Sequence, residues 1–109
     1  MGPVFLAVEP RFDAAVLIVG GFYVQRAMPE VEAINFAPRV KMPVLQLNGR
    51  FDFFLPEDGT QIPMFRLLGT PDAQKRRVAY DTGHNIPRPD LIRESLDWLD
   101  AYLGPVRQP

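Results

Sequence analysis

Apolar residues in this chain gather into short blocks of two kinds. Ala14-Ala15-Val16-Leu17-Ile18-Val19 is continuous, rich in β-branched residues and closed by Gly20-Gly21. A run of that length without alternation predicts a strand buried on both faces, as in a parallel sheet. Pro43 to Leu47 repeats the pattern and predicts a second buried strand, and Arg77 to Tyr80 predicts a shorter third. Other blocks recur at helical spacing. Ile92, Leu96, Leu99 and Leu103 share one face of a helix over Asp90–Leu103, with Arg93 and Asp97 spaced to pair and Gly104-Pro105 to stop it. Between Glu57 and Leu68 the pattern is also helical: Ile62, Phe65 and Leu68, with Met64 beside them, make the apolar face, and Gly69-Thr70-Pro71 ends it. Pro63 fits only in the first turn, so this helix is expected to begin near Gln61. Val4 to Val8 stops at Glu9-Pro10 and reads as the tail of a helix. Phe22 to Pro38 shows no clean period, which predicts a loop with a helical turn near Asn35-Phe36-Ala37.

Strand, loop, strand, helix, strand, helix is the order of an α/β domain whose parallel strands are joined by right-handed crossovers. A chain of 109 residues forms one such domain, residues 1–109. In such sheets ligands bind beyond the carboxyl ends of the strands. Charge and composition narrow the partners. A net charge of −1 leaves no basic footprint for nucleic acid or an acidic membrane surface. Ala14 to Val19 is far short of the roughly 20 apolar residues that span a bilayer, and no basic region precedes the first apolar stretch, so neither a span nor a secretory signal is expected. The absence of cysteine excludes disulfides, thiolate metal sites and cysteine nucleophiles, and fits a cytoplasmic protein. No phosphate loop or Gly-x-Gly-x-x-Gly occurs, so no nucleotide cofactor is expected. Glu30 and Glu32 lack the spacing to share a metal with His84.

Two segments carry chemistry. Pro43-Val44-Leu45-Gln46-Leu47-Asn48-Gly49-Arg50-Phe51-Asp52 is an apolar strand that breaks at a glycine and delivers a carboxylate. Tyr80-Asp81-Thr82-Gly83-His84 ends a second strand on the only histidine of the chain. Both side chains follow a strand's carboxyl end and are expected on the same rim. With the helix over Asp90–Leu103 behind them, these segments resemble the C-terminal half of an α/β-hydrolase of the dienelactone-hydrolase or esterase-like kind. The likeness runs over nearly the whole chain, with Glu9-Pro10-Arg11-Phe12-Asp13-Ala14-Ala15-Val16 similar to the passage into that family's sixth strand. It implies a three-layer α/β-hydrolase-type fragment of about three parallel strands with flanking helices. It also implies Asp52 as the acid and His84 as the general base of a small carboxylic ester's hydrolysis, in the family's order of nucleophile, acid and histidine.

The nucleophile is missing from that order. There is no Gly-x-Ser-x-Gly, and the only serine, Ser95, lies on the last helix among residues that face the core. By the resemblance, the oxyanion-hole loop and nucleophile elbow would precede Met1. The chain then reads as a truncated coding sequence, as one part of a split protein, or as a small domain reusing half of the fold. Two functions follow. One is ester hydrolysis in which the Asp52–His84 pair activates water or a serine brought by a complementing chain. The other is a non-catalytic, homo-oligomerising domain, since Ala14–Val19 would lack an outer neighbour and exposed strand edges invite pairing.

Residues around the pair have simpler readings. Asp81 is expected to cap the histidine loop, and Thr82 to make a turn-forming hydrogen bond. Phe51, Phe53 and Phe54 are read as packing at the sheet end in preference to a wall for an acyl group. Lys75-Arg76-Arg77 is read as a solvated strand start.

Overall fold

A computed structural model of the protein describes residues 2–23 and 28–104. Residues 24–27 of the long expected loop, and Pro105 of the expected helix stop, lie outside them. In chain order the elements are α1 (Gly2–Val8), β1 (Ala15–Ile18), α2 (Ala33–Phe36), β2 (Val44–Gly49), α3 (Ile62–Leu67), β3 (Lys75–Tyr80) and α4 (Arg88–Leu103). Single 3-10 turns at Ala37–Arg39 and Asp72–Gln74 trim the connections. The three strands form one parallel sheet in the order β1-β2-β3. This is the expected three-layer α/β arrangement.

The strands divide the core by their two-residue alternation. Val44 of β2 joins Ala15, Phe22, Ala37, Val40, Met64 and Leu68 on the face covered by α1, α2 and α3. Leu45 and Leu47 join Ile86 on the other face, with Leu91 and Trp98 of α4 packed against them. Every residue of β2 is buried. This central strand also runs two residues past its expected end, because Asn48 and Gly49 still pair with Ala79 and Tyr80 of β3.

The edge strand β1 departs from expectation. Only Ala15 of its four residues is buried, and Ile18 is 49% exposed. Among the described residues β1 pairs with β2 alone, and as an edge strand it has no neighbouring strand's side chains flanking its own on the outer side.

The charged start of β3 is solvated only at Arg76, while Lys75 and Arg77 are turned inward. Its strand begins at Lys75, two residues early, and the same alternation sorts its cations. Lys75 turns toward α3, where its buried Nζ donates to the carbonyl oxygens of Phe65 at 2.9 Å and Leu68 at 3.4 Å and lies 4.8 Å from the Phe65 ring centroid. It thereby satisfies carbonyls that the end of a helix leaves without partners. Arg76 points the opposite way and bonds Glu94 of α4 at 2.8 Å. Arg77 returns to the α3 face.

Helix α3 is shorter than its apolar pattern suggested. A wide π-type turn over Glu57–Gln61 precedes it, and Pro63 then falls in the first α-helical turn, where its missing N–H costs nothing. Met64 and Leu68 are its buried anchors, and Ile62 is only half-buried.

In α4 the packed stripe is rotated by one residue from the expected one. Leu91 and Trp98 meet the sheet, and Trp98 packs against Tyr102 at 4.7 Å between ring centroids, the ring planes inclined at 52°. Ile92, Leu96 and Leu103 are each at least half exposed. Both stripes are apolar, and the sheet takes the one carrying the larger aromatic area. The rotation also repartners Arg93, which bonds Asp90 at 2.6 Å rather than Asp97. Tyr80 faces α4 with its hydroxyl buried and, among the described residues, unpartnered; burial pushes its phenol above the ordinary range, with Glu94 and Asp90 adding to the shift.

The two stripes of α4 are separable by mutation. Trp98→Ala is expected to cost about 3 kcal/mol of stability in urea unfolding, as truncation of a core aromatic does. Leu96→Ser is expected to stay within about 0.5 kcal/mol of the parent, as an exposed substitution does. The reverse ranking would place the helix on its other face.

Candidate active site

The acid loop starts where β2 loses its partner. Gly49 closes the strand, Arg50 N donates to Tyr80 O at 2.8 Å, and Phe51 N donates to Thr82 O at 3.0 Å. The acid loop and the histidine loop are thus stitched backbone to backbone. Their approach is so close that a Cβ at Gly49 would overlap the carbonyl oxygens of Gly83 and Thr82. Only glycine permits that contact.

Asp52 lies on the far side of this seam with its side chain fully buried. Its Oδ1 accepts from the backbone N–H groups of Phe54 at 2.8 Å and Leu55 at 2.9 Å. Its Oδ2 is 2.6 Å from His84 Nδ1. The carboxylate only accepts, so Nδ1 carries the proton and Nε2 is the ring nitrogen left free to act as a base. His84 is 40% exposed at its side chain and is held in place by its own loop, where Thr82 Oγ1 donates to Asn85 O at 2.7 Å. Asp81 does not cap that loop. Its 2.7 Å bond goes to Arg50, adding a surface tie between the two loops.

His84 borders a cavity of about 600 Å³. Ile18, Val19, Phe54, Leu55 and Met64 are among its walls, and among the described residues no Asp, Glu, Lys or Arg lines it. Phe54 meets the imidazole edge-on at 5.5 Å between ring centroids. The three phenylalanines therefore do not pack at the sheet end: Phe51, Phe53 and Phe54 are 69%, 87% and 67% exposed. Hydrogen bonds from Phe54 N and Leu55 N to Asp52 turn the loop outward, and the side chains follow it.

Val19, at the end of β1, has φ of 52°. A β-branched residue rarely occupies this left-handed region, at a cost of about 1–3 kcal/mol. A 2.8 Å bond from Val19 N to Leu47 O and the packing of its side chain with Leu45 and Leu47 hold it there, facing the cavity.

Under the acid loop sits a polar group that no sequence motif marks. Gln61 is fully buried and bonds Gly49 O and Leu55 O through its Nε2. Arg77 donates to Gln61 Oε1, to Glu57 Oε2 and to Asn48 Oδ1. The signal lay in β2, where Gln46 and Asn48 alternate with leucines on one face of an otherwise apolar strand. Ser95 lies on the side of α4 shared with Leu91 and Trp98. Glu30 is exposed and Glu32 buried, and no group of three metal-ligating side chains forms among the described residues. No described helix is long and apolar enough to cross a membrane.

The backbone fold occurs in known structures. A cold-adapted esterase from an Arctic intertidal metagenomic library superposes with a TM-score of 0.72 at 23% identity, over 94% of this chain and 42% of its own. A candidate dienelactone hydrolase from Klebsiella pneumoniae gives 0.73 at 22% identity, over 92% and 47%. The chain has the fold of part of an α/β-hydrolase. TT1662 from Thermus thermophilus superposes at 0.75 with 20% identity, over 97% of this chain and 50% of its own. The chain thus spans half or less of the length of these three structures, and at such identities the likeness is one of fold. No family model and no curated protein matches the sequence.

The seam at Gly49 yields a direct test. Gly49→Ala is expected to lose about 3 kcal/mol in urea unfolding, because the overlap is with backbone that has nowhere to move. An unchanged midpoint would mean that the two loops are not in contact there.

Proposed function

We propose that Asp52 and His84 are the acid–base part of a carboxylic ester hydrolase, acting on small uncharged esters. The observation that carries this reading is the 2.6 Å bond between a buried carboxylate and the Nδ1 of a histidine that borders an uncharged cavity. With Nδ1 committed to Asp52, Nε2 is free to take the proton of an attacking oxygen. The Asp52 carboxylate stabilises the imidazolium that results, and that proton then goes to the departing alkoxide. The attacking oxygen comes from water or from a serine in polypeptide beyond these 109 residues, since Ser95 sits on the sheet-facing side of α4. The fold shared with an esterase supports the reaction class, and the apolar walls support an uncharged acyl group.

The test is hydrolysis of p-nitrophenyl acetate and butyrate by the purified chain. A rate above that of free imidazole is expected, reduced at least about 10²-fold in His84→Ala and substantially in Asp52→Asn, the range that positioned general bases supply. A rate equal to free imidazole and indifferent to both substitutions would remove catalysis by this chain.

A second reading is favoured by one observation. Among the described residues the outer edge of β1 is unpaired, and Ile18 beside it is 49% exposed, as a pairing edge would be. On this reading the chain is a non-catalytic domain that self-associates across β1, two-fold pairing making the sheet continuous. Sedimentation velocity should then show a dimer that Ile18→Lys dissociates. A well-folded monomer at all concentrations would rule this out.

A further inference from the structure

The loop from Gly49 to Leu55 holds Asp52 at its middle, and both of its ends meet one side chain. Gln61 Nε2 donates one hydrogen to Gly49 O at 2.8 Å and the other to Leu55 O at 2.7 Å. Both acceptors belong to residues that also bond Asp52: Gly49 O receives Asp52 N at 3.3 Å, and Leu55 N donates to Asp52 Oδ1. The amide has no freedom to turn over. Its Oε1 accepts from Arg77 Nη2 at 2.8 Å, and a guanidinium can only donate, so the NH2 group must face the two carbonyls. Arg77 is itself fixed by Glu57 at 2.8 Å and Asn48 at 3.1 Å. Asn48 in turn donates to Gly20 O at 2.8 Å, in the wall of the cavity that His84 borders.

We propose that Gln61, oriented by Arg77, is a positioning residue for the Asp52–His84 pair. It sets the span of the acid loop and so the place of the carboxylate that His84 bonds. Gln61 touches neither the cavity nor the imidazole, and its effect reaches His84 only through Asp52. The inference rests on the acid–base reading above and adds to it the group that keeps the pair in register.

The single histidine makes the test clean, because any imidazole N–H resonance in the proton spectrum belongs to His84. In the parent, the Nδ1 proton bonded to buried Asp52 should be visible and slow to exchange with water. Gln61→Glu keeps the shape and the acceptor for Arg77 but removes both donors at neutral pH. Gln61→Met keeps the shape and removes donors and acceptor alike. In both, exchange of the Nδ1 proton should accelerate roughly tenfold or more, or the resonance should vanish, as loss of two buried hydrogen bonds implies. Leu68→Ala serves as the control, lowering stability from the core without touching the acid loop, and should leave the resonance in place. Retention of the signal in either folded Gln61 variant would overturn the inference, as would its equal loss in Leu68→Ala. Absence of the signal in the parent would instead overturn the acid–base reading, and this inference with it.

Discussion

Burial of β2 on both faces is the constraint from which the rim follows. Its backbone is satisfied by β1 and β3, but Gln46 and Asn48 point into the layer beneath α3, where water does not reach. Buried amides without partners are costly, so the surrounding chain has to supply them. Gln61 and Arg77 meet most of that demand: Gln46 Nε2 bonds both Asn48 Oδ1 at 2.7 Å and the Gln61 backbone oxygen at 3.0 Å, while Gln46 Oε1 is left without a partner among the described residues. The wide turn Glu57–Gln61 brings Gln61 and Glu57 to this layer, so helix entry, sheet interior and acid loop are facets of one polar arrangement.

Much of this is legible in the sequence. Unbroken apolar runs located β1 and β2, and the chain order of elements led to a parallel sheet. Asp52 and His84 were visible because each follows a strand and each is marked by a nearby glycine. Other features were illegible for a physical reason. Both stripes of α4 are apolar at helical spacing, and nothing local ranks Leu91 and Trp98 over Ile92 and Leu96; the sheet decides. Lys75 and Arg77 look like surface charge in one dimension. Only the two-residue alternation of β3, set against carbonyls and amides distant in sequence, turns them inward. The phenylalanines were misread for a related reason, since composition cannot show that backbone N–H groups bonded to Asp52 would turn the loop outward.

The two sides of the site differ in how they are held. Asp52 and His84 are fixed by a backbone seam and by three hydrogen bonds to the carboxylate. The β1 side is held by single bonds from Val19 N to Leu47 O, Asn48 to Gly20 O and Phe22 N to Thr60 O, and it carries a valine in an unfavourable backbone conformation. The edge that is unpaired among the described residues lies on that second side. Any polypeptide that pairs with β1 would therefore meet the wall of the cavity that β1 supplies, with the Asp52–His84 bond already formed.

The amide clamp on the acid loop has a consequence for variation. Gln61 grips two carbonyl oxygens, and every residue except the chain terminus offers a carbonyl. The grip is therefore blind to which side chains occupy the positions between, apart from Asp52 itself, yet it fixes how many there are. Phe51 and Phe53 project from this segment and can be exchanged for polar, small or charged residues without loosening it, whereas Phe54 also meets the imidazole, and one inserted or deleted residue would break the grip. A rim built this way can change what it presents at Phe51 and Phe53 by substitution alone, with the Asp52–His84 bond left in place.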